Sequence, residues 1–113
     1  MKKYKALFHV DEKEKIMLVL KNMANLLNDL GEDEVEVALV GNSEGIALMY
    51  QSSEYKEKVE ALYKKGISFA ACANTMKEKK LNKEDLLEFA YIVPSGVGEI
   101  VKKQAQGYFY IRP

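Results

Sequence analysis

Residues 34–45 read Glu34-Val35-Glu36-Val37-Ala38-Leu39-Val40-Gly41-Asn42-Ser43-Glu44-Gly45. The segment opens as an alternation of charged and apolar residues, becomes an unbroken apolar run, and stops at a cluster of small residues. An apolar run of this kind marks a strand buried on both faces, as in a parallel sheet. The neighbouring segments supply the helices such a sheet requires. Toward the N-terminus, Ile16, Val19, Leu20, Met23, Leu27 and Leu30 recur at helical steps, which predicts a helix over 13–30 ended by Gly31. Before it, Tyr4-Lys5-Ala6-Leu7-Phe8-His9-Val10 is rich in β-formers and runs into Asp11-Glu12, which suit a helix start. Toward the C-terminus, Gly45 to Tyr50 predicts a short helical turn. Ser53 then caps a helix over 54–65, with Tyr55, Val59 and Leu62 inward and Gly66 as its stop.

The same alternation continues. Ile67-Ser68-Phe69-Ala70-Ala71 predicts a third strand that leads through Cys72-Ala73-Asn74-Thr75 into a short lysine-rich helix ending near Lys80. Asn82 followed by Asp85 resembles a capping arrangement for a further helical turn. Phe89 to Val93 predicts strand four, Pro94 to Glu99 a turn into a helix ending near Gln106, and Tyr108 to Ile111 strand five after Gly107. Strands alternating with helices pair in parallel through right-handed crossovers, so the expected architecture is one α/β domain over residues 1–113 with helices on both faces of an open sheet. Ligands of such sheets sit beyond the carboxyl ends of the strands. The loops to watch are therefore 9–12, 41–45, 72–74 and 94–98.

Composition narrows the function. The chain has 113 residues, of which 48% are hydrophobic and 30% charged, enough for one compact core. Seventeen basic and seventeen acidic residues cancel, and Arg112 is the single arginine, so neither a bulk positive field nor bidentate arginine clamps favour nucleic acid or an anionic membrane. No 18-residue apolar run and no signal-peptide pattern is present, and the expected location is the cytoplasm. Zero net charge with seven tyrosines and five methionines points to a homo-oligomer.

Cys72 is the sharpest chemical candidate. It is the only cysteine and falls where a strand gives way to a helix, where backbone N–H groups and the helix dipole favour thiolate over thiol. The competing reading makes it a small core residue among Ala70, Ala71 and Ala73. His9, the only histidine, closes the first strand. Should the first and third strands be neighbours, it reaches the rim that holds Cys72 and can act on the thiol; otherwise it is a strand residue with satisfied ring nitrogens. One histidine and one cysteine cannot fill a four-ligand zinc site within a subunit, and Asp11-Glu12 adds no recognised ligand spacing, so no metal is expected unless a site is shared between subunits. Pro94-Ser95-Gly96-Val97-Gly98 resembles an anion-binding turn with Ser95 as N-cap, and equally an ordinary strand-to-helix cap; Asn42 and Ser43 carry the same ambiguity. The glycine fingerprint of dinucleotide sites and the P-loop lysine are both missing. No cofactor is expected: a flavodoxin-like flavin site lacks both its phosphate loop after the first strand and a tryptophan. Lys77, Lys79, Lys80 and Lys83 follow Cys72 but read as a solvated face. Asn22 and Asn25 lie off the apolar stripe of their helix and point to loops or a neighbouring subunit.

Four segments together resemble the DsrE/DsrF-like family, in particular its small single-domain members. They are Phe8-His9-Val10-Asp11-Glu12, Ala71-Cys72-Ala73-Asn74-Thr75-Met76, Val93-Pro94-Ser95-Gly96-Val97, and Gln104-Ala105-Gln106-Gly107-Tyr108-Phe109-Tyr110-Ile111. The resemblance implies a three-layer α/β/α sandwich with a parallel five-stranded sheet, assembled as a trimer or hexamer, in a family linked to sulfur oxidation and sulfur relay. It places Cys72 at the position of the sulfur-accepting cysteine, which takes a persulfide from a donor protein and passes it to an acceptor. On this reading the N–H groups near Ala73 and Asn74 stabilise the sulfur anion, and His9, Asn42, Ser43, Ser95 and Gly96 line the pocket. The alternative from another class is a non-enzymatic oligomeric module that binds a small anion or a partner protein at the strand-end loops, with Cys72 as packing.

Overall fold

A computed structural model describes residues 2–113. Five strands form one parallel sheet in the order β4-β3-β2-β1-β5. They are β1 (Tyr4–Val10), β2 (Val35–Gly41), β3 (Ser68–Cys72), β4 (Tyr91–Val93) and β5 (Phe109–Ile111). The helices are α1 (Ile16–Leu30), α2 (Lys56–Lys64), α3 (Ala73–Glu78) and α4 (Gly96–Ala105). β2 is central, and its register of Val35 on Tyr4 through Gly41 on Val10 aligns the first two strands over their full lengths.

Residue alternation splits the sheet into two unequal faces. Ala6, Phe8 and Val10 of β1, Val35, Val37 and Leu39 of β2 and Phe69 of β3 face α1 and α2. There they join Val19, Leu20, Met23, Val59 and Leu62 in the main core. The other face carries a smaller cluster of Leu7, Ala38, Val40, Ala70, Val93 and Tyr108, covered by α4 through Ile100. Helices therefore lie on both sides of the sheet, and the thinner side is the one on which Cys72 falls.

Local signals explain most element ends. Gly31 adopts φ 95° and its N–H donates to Leu27 over 2.9 Å, the left-handed stop expected after α1. Ser95 accepts from Gly98 N–H at 2.8 Å and caps α4, and Asn82 with Asp85 forms the reciprocal capping box. Several boundaries differ from the sequence reading. Residues Lys13–Lys15 wind as a tight 3₁₀ turn before α1, and Ser43–Met49 does the same after β2. α2 starts at Lys56 because the Ser53 hydroxyl accepts from Tyr55 N–H at 3.0 Å and closes a turn before the helix. β4 is shorter than expected because Phe89 leaves the strand line to stack on Tyr63, with ring centroids 4.1 Å apart. Among the described residues no helix is long and apolar enough to cross a membrane.

Candidate functional site: a thiol at the strand rim

β3 ends at Cys72, which is also the N-cap of α3, so strand and helix meet at the sulfur-bearing residue. Its register partner is Val93, and it shares the α4 face of the sheet with Val40 and Ala70. The side chain is buried, with 5% of its surface exposed. Burial is the largest single influence on the thiol and pushes its pKa up. Against it stand the Thr75 hydroxyl and the backbone N–H groups of Thr75, Gly96 and Asn74, which together hold the thiol below its ordinary range. The donors come from two separate elements, the first turn of α3 and the first residue of α4.

Each donor is held by packing. Thr75 is buried, and its Oγ1 accepts from the backbone N–H of Ser43 at 2.9 Å, which leaves its single proton for the sulfur. Ser43 reaches this contact in the left-handed region at φ 48°, where a non-glycine residue is uncommon. Gly96 lies so close to β2 that a Cβ there would stand 3.2 Å from Asn42 Cβ and 3.3 Å from Val40 Cγ1. The absence of a side chain lets the start of α4 settle against the rim beside Cys72.

His9 takes a different place from the one in which it would act on the thiol. β2 lies between β1 and β3, so the first and third strands are not neighbours and stand about 10 Å apart, two inter-strand spacings. Both ring nitrogens of His9 are occupied: Nε2 meets Asn42 Oδ1 at 2.9 Å and Nδ1 meets the Tyr110 hydroxyl at 2.7 Å. Because an amide oxygen only accepts, Nε2 donates to Asn42, and the Tyr110 hydroxyl, which can donate or accept, holds Nδ1. With both nitrogens engaged, the ring has none free to serve Cys72. The chain Tyr110, His9, Asn42 instead braces β5, β1 and the loop after β2, and Asn42 in turn touches Gly96.

Ser43 contributes its backbone N–H rather than its hydroxyl. Ser95 spends its oxygen on capping α4. Ala73 opens α3, while the N–H groups directed at the sulfur are those of Asn74 and Thr75. Asp11 and Glu12 are engaged by Arg112, at 3.0 Å and 3.4 Å. In the lysine cluster, Lys79 pairs with Glu44 across the loop after β2, which raises the ammonium pKa and lowers the carboxyl. Thr75 is the participant that the sequence reading left without a role. Its only local signal is a hydroxyl three residues after a strand-end cysteine, at the position where an N-cap side chain meets backbone.

The chain is thus a small parallel α/β protein with a buried free thiol at the carboxyl rim of its sheet. It belongs to the DsrE/DsrF-like family, whose model matches residues 2–113. A solved structure of a protein of unknown function from Methanobacterium thermoautotrophicum, MTH1491, is similar at 38% identity with a TM-score of 0.91, covering 97% of this chain and 99% of that one. No curated protein is detectably similar to the chain.

Proposed function

We propose that the protein carries sulfur between thiols, holding it as a persulfide on Cys72. The observation that carries this reading is the place of Cys72 at the end of β3 and the N-cap of α3, on the rim where ligands of parallel sheets bind, with its thiol held below the ordinary range by the Thr75, Gly96 and Asn74 groups around it. Membership of a family linked to sulfur relay supports it. The chemistry is balanced. The Cys72 thiolate attacks the outer sulfur of a donor persulfide, a new S–S bond forms on Cys72, and the donor leaves as thiolate. The acceptor thiolate then attacks the same outer sulfur and releases Cys72 as thiolate, with no net oxidation. One cysteine suffices, because the resolving thiol belongs to the acceptor. A donor and an acceptor protein are the implied partners, and a homotrimer or homohexamer in the cytoplasm is the proposed form.

The burial of Cys72 favours a second reading, in which the thiol is packing and the chain is a non-enzymatic module binding a small anion or partner at loops 41–45 and 94–98. Intact-mass measurement after polysulfide treatment separates the two. The carrier gains about 32 Da per sulfur atom on the native chain and nothing on Cys72→Ser. A folded protein that gains no mass, and whose thiol alkylates only in denaturant, is the binding module.

A further inference from the structure

Between α1 and α2 runs an open groove of about 340 Å³, on the face of the sheet opposite to Cys72. Leu20 and Leu62 form its floor, and Ala24 and Ala61 keep it open because each presents only a methyl group. Met17 sits at its edge half exposed, a flexible side chain suited to moulding against a partner. Three lysines complete the lining: Lys21 on the α1 wall, Lys58 and Lys65 on the α2 side. No carboxylate lines it, although acidic and basic residues are equal in number over the chain.

The spacing of these cations selects the occupant. Lys58 and Lys65 are two helical turns apart, about 10 Å along the axis, and Lys21 faces them from the other helix. A single carboxylate or phosphate leaves the apolar floor uncovered and at least one of these cations without a partner along the groove. A ligand with an apolar stripe and acidic groups along both flanks reaches all three while covering the leucines and alanines. We propose that this groove docks an amphipathic helix of a partner protein with Asp or Glu flanking its apolar stripe, two turns of which match the groove length. A second copy of this chain is a poor match. The buried stripes of α1 and α2 are spent on the core, and the exposed Leu18 and Tyr63 are isolated residues, Tyr63 beside Lys64. The exposed Val97 and Val101 of α4 are bordered by Lys102, which the groove lysines would repel. The inference is independent of the persulfide reading.

The test titrates synthetic amphipathic helical peptides with Leu, Met or Phe stripes, in Glu-flanked and Lys-flanked versions, into the full chain by fluorescence anisotropy. At least one Glu-flanked peptide binds, more weakly as salt rises, and the triple variant Lys21→Glu, Lys58→Glu, Lys65→Glu loses about tenfold or more, the sum of three exposed ion pairs. All three lysines are exposed, so the variant keeps its fold, and circular dichroism checks this. Ala61→Phe, which fills the groove without changing charge, also loses binding. Equal binding of Lys-flanked peptides, no binding of any Glu-flanked peptide, or an unchanged triple variant overturns the proposal. So does an Ala61→Phe chain that changes oligomeric state by light scattering, which would make the groove a contact between copies, or saturation of the groove by decanoate alone.

Discussion

The backbone N–H of Ser43 donates to the hydroxyl of Thr75 at 2.9 Å, joining the loop after β2 to the first turn of α3, 32 residues later. With its lone pair engaged by Ser43, the Thr75 hydroxyl keeps its proton for Cys72. A residue outside the sulfur chemistry thus helps to hold the thiol below its ordinary range against burial.

The first prediction follows from that contact. Thr75→Val keeps the shape but removes the hydroxyl, so the pH midpoint of Cys72 alkylation rises, while Thr75→Ser stays near the native profile. Loss of the Ser43 partner also destabilises the chain by about 1 kcal/mol. Matching alkylation profiles for native and Thr75→Val proteins would show that the hydroxyl does not reach the sulfur.

His9 tests the separation of bracing from chemistry. His9→Ala removes two hydrogen bonds and a buried ring, and costs about 3 kcal/mol in urea unfolding. The alkylation midpoint of Cys72 in the folded variant stays unchanged, because no nitrogen of His9 serves the thiol. A shifted midpoint at unchanged fold would restore a catalytic role to the histidine.

Gly45 is a packing requirement. A Cβ on it would fall 2.1 Å from the Val10 carbonyl oxygen and 2.8 Å from Asp11 N, both backbone atoms that cannot rotate away. Gly45→Ala therefore destabilises by about 3 kcal/mol, the upper end for overpacking. Chemical denaturation that finds a loss within a few tenths of a kcal/mol would mean that the β1 and β2 loops do not approach this closely.

Tyr108 predicts an alkaline limit. Burial first, and then the Glu36 carboxylate that accepts its O–H, raise its pKa above the ordinary phenol value. The folded state therefore binds this proton more tightly than the unfolded chain. Its contribution to stability is complete below about pH 10, the unfolded value, and is lost as pH rises toward the folded one. Tyr91 and Tyr110 are shifted the same way, chiefly by burial. Urea midpoints measured above about pH 9 should fall for the native chain and fall less steeply for Tyr108→Phe. Equal slopes would remove Tyr108 from the account.

The features legible from residue order are local ones. The apolar run of 37–40, the helical spacing from Ile16 to Leu27, the stop at Gly31, the Ser95 cap and the Asn82 and Asp85 box are each set by sterics and hydrogen bonds within a few residues. Those signals were enough to place Cys72 at a strand-to-helix junction and to predict a parallel α/β sheet. The residues that surround the thiol are chosen by long-range packing. Placing β2 between β1 and β3 handed His9 to Asn42, and adding β5 beside β1 brought Tyr110 to a histidine 101 residues away. Thr75 gained its role from a loop 32 residues upstream, and Gly96 from the packing of α4 on Val40 and Asn42. Residue spacing carries no record of such pairings, because strand order is chosen by the burial of whole faces rather than by any short run of side chains.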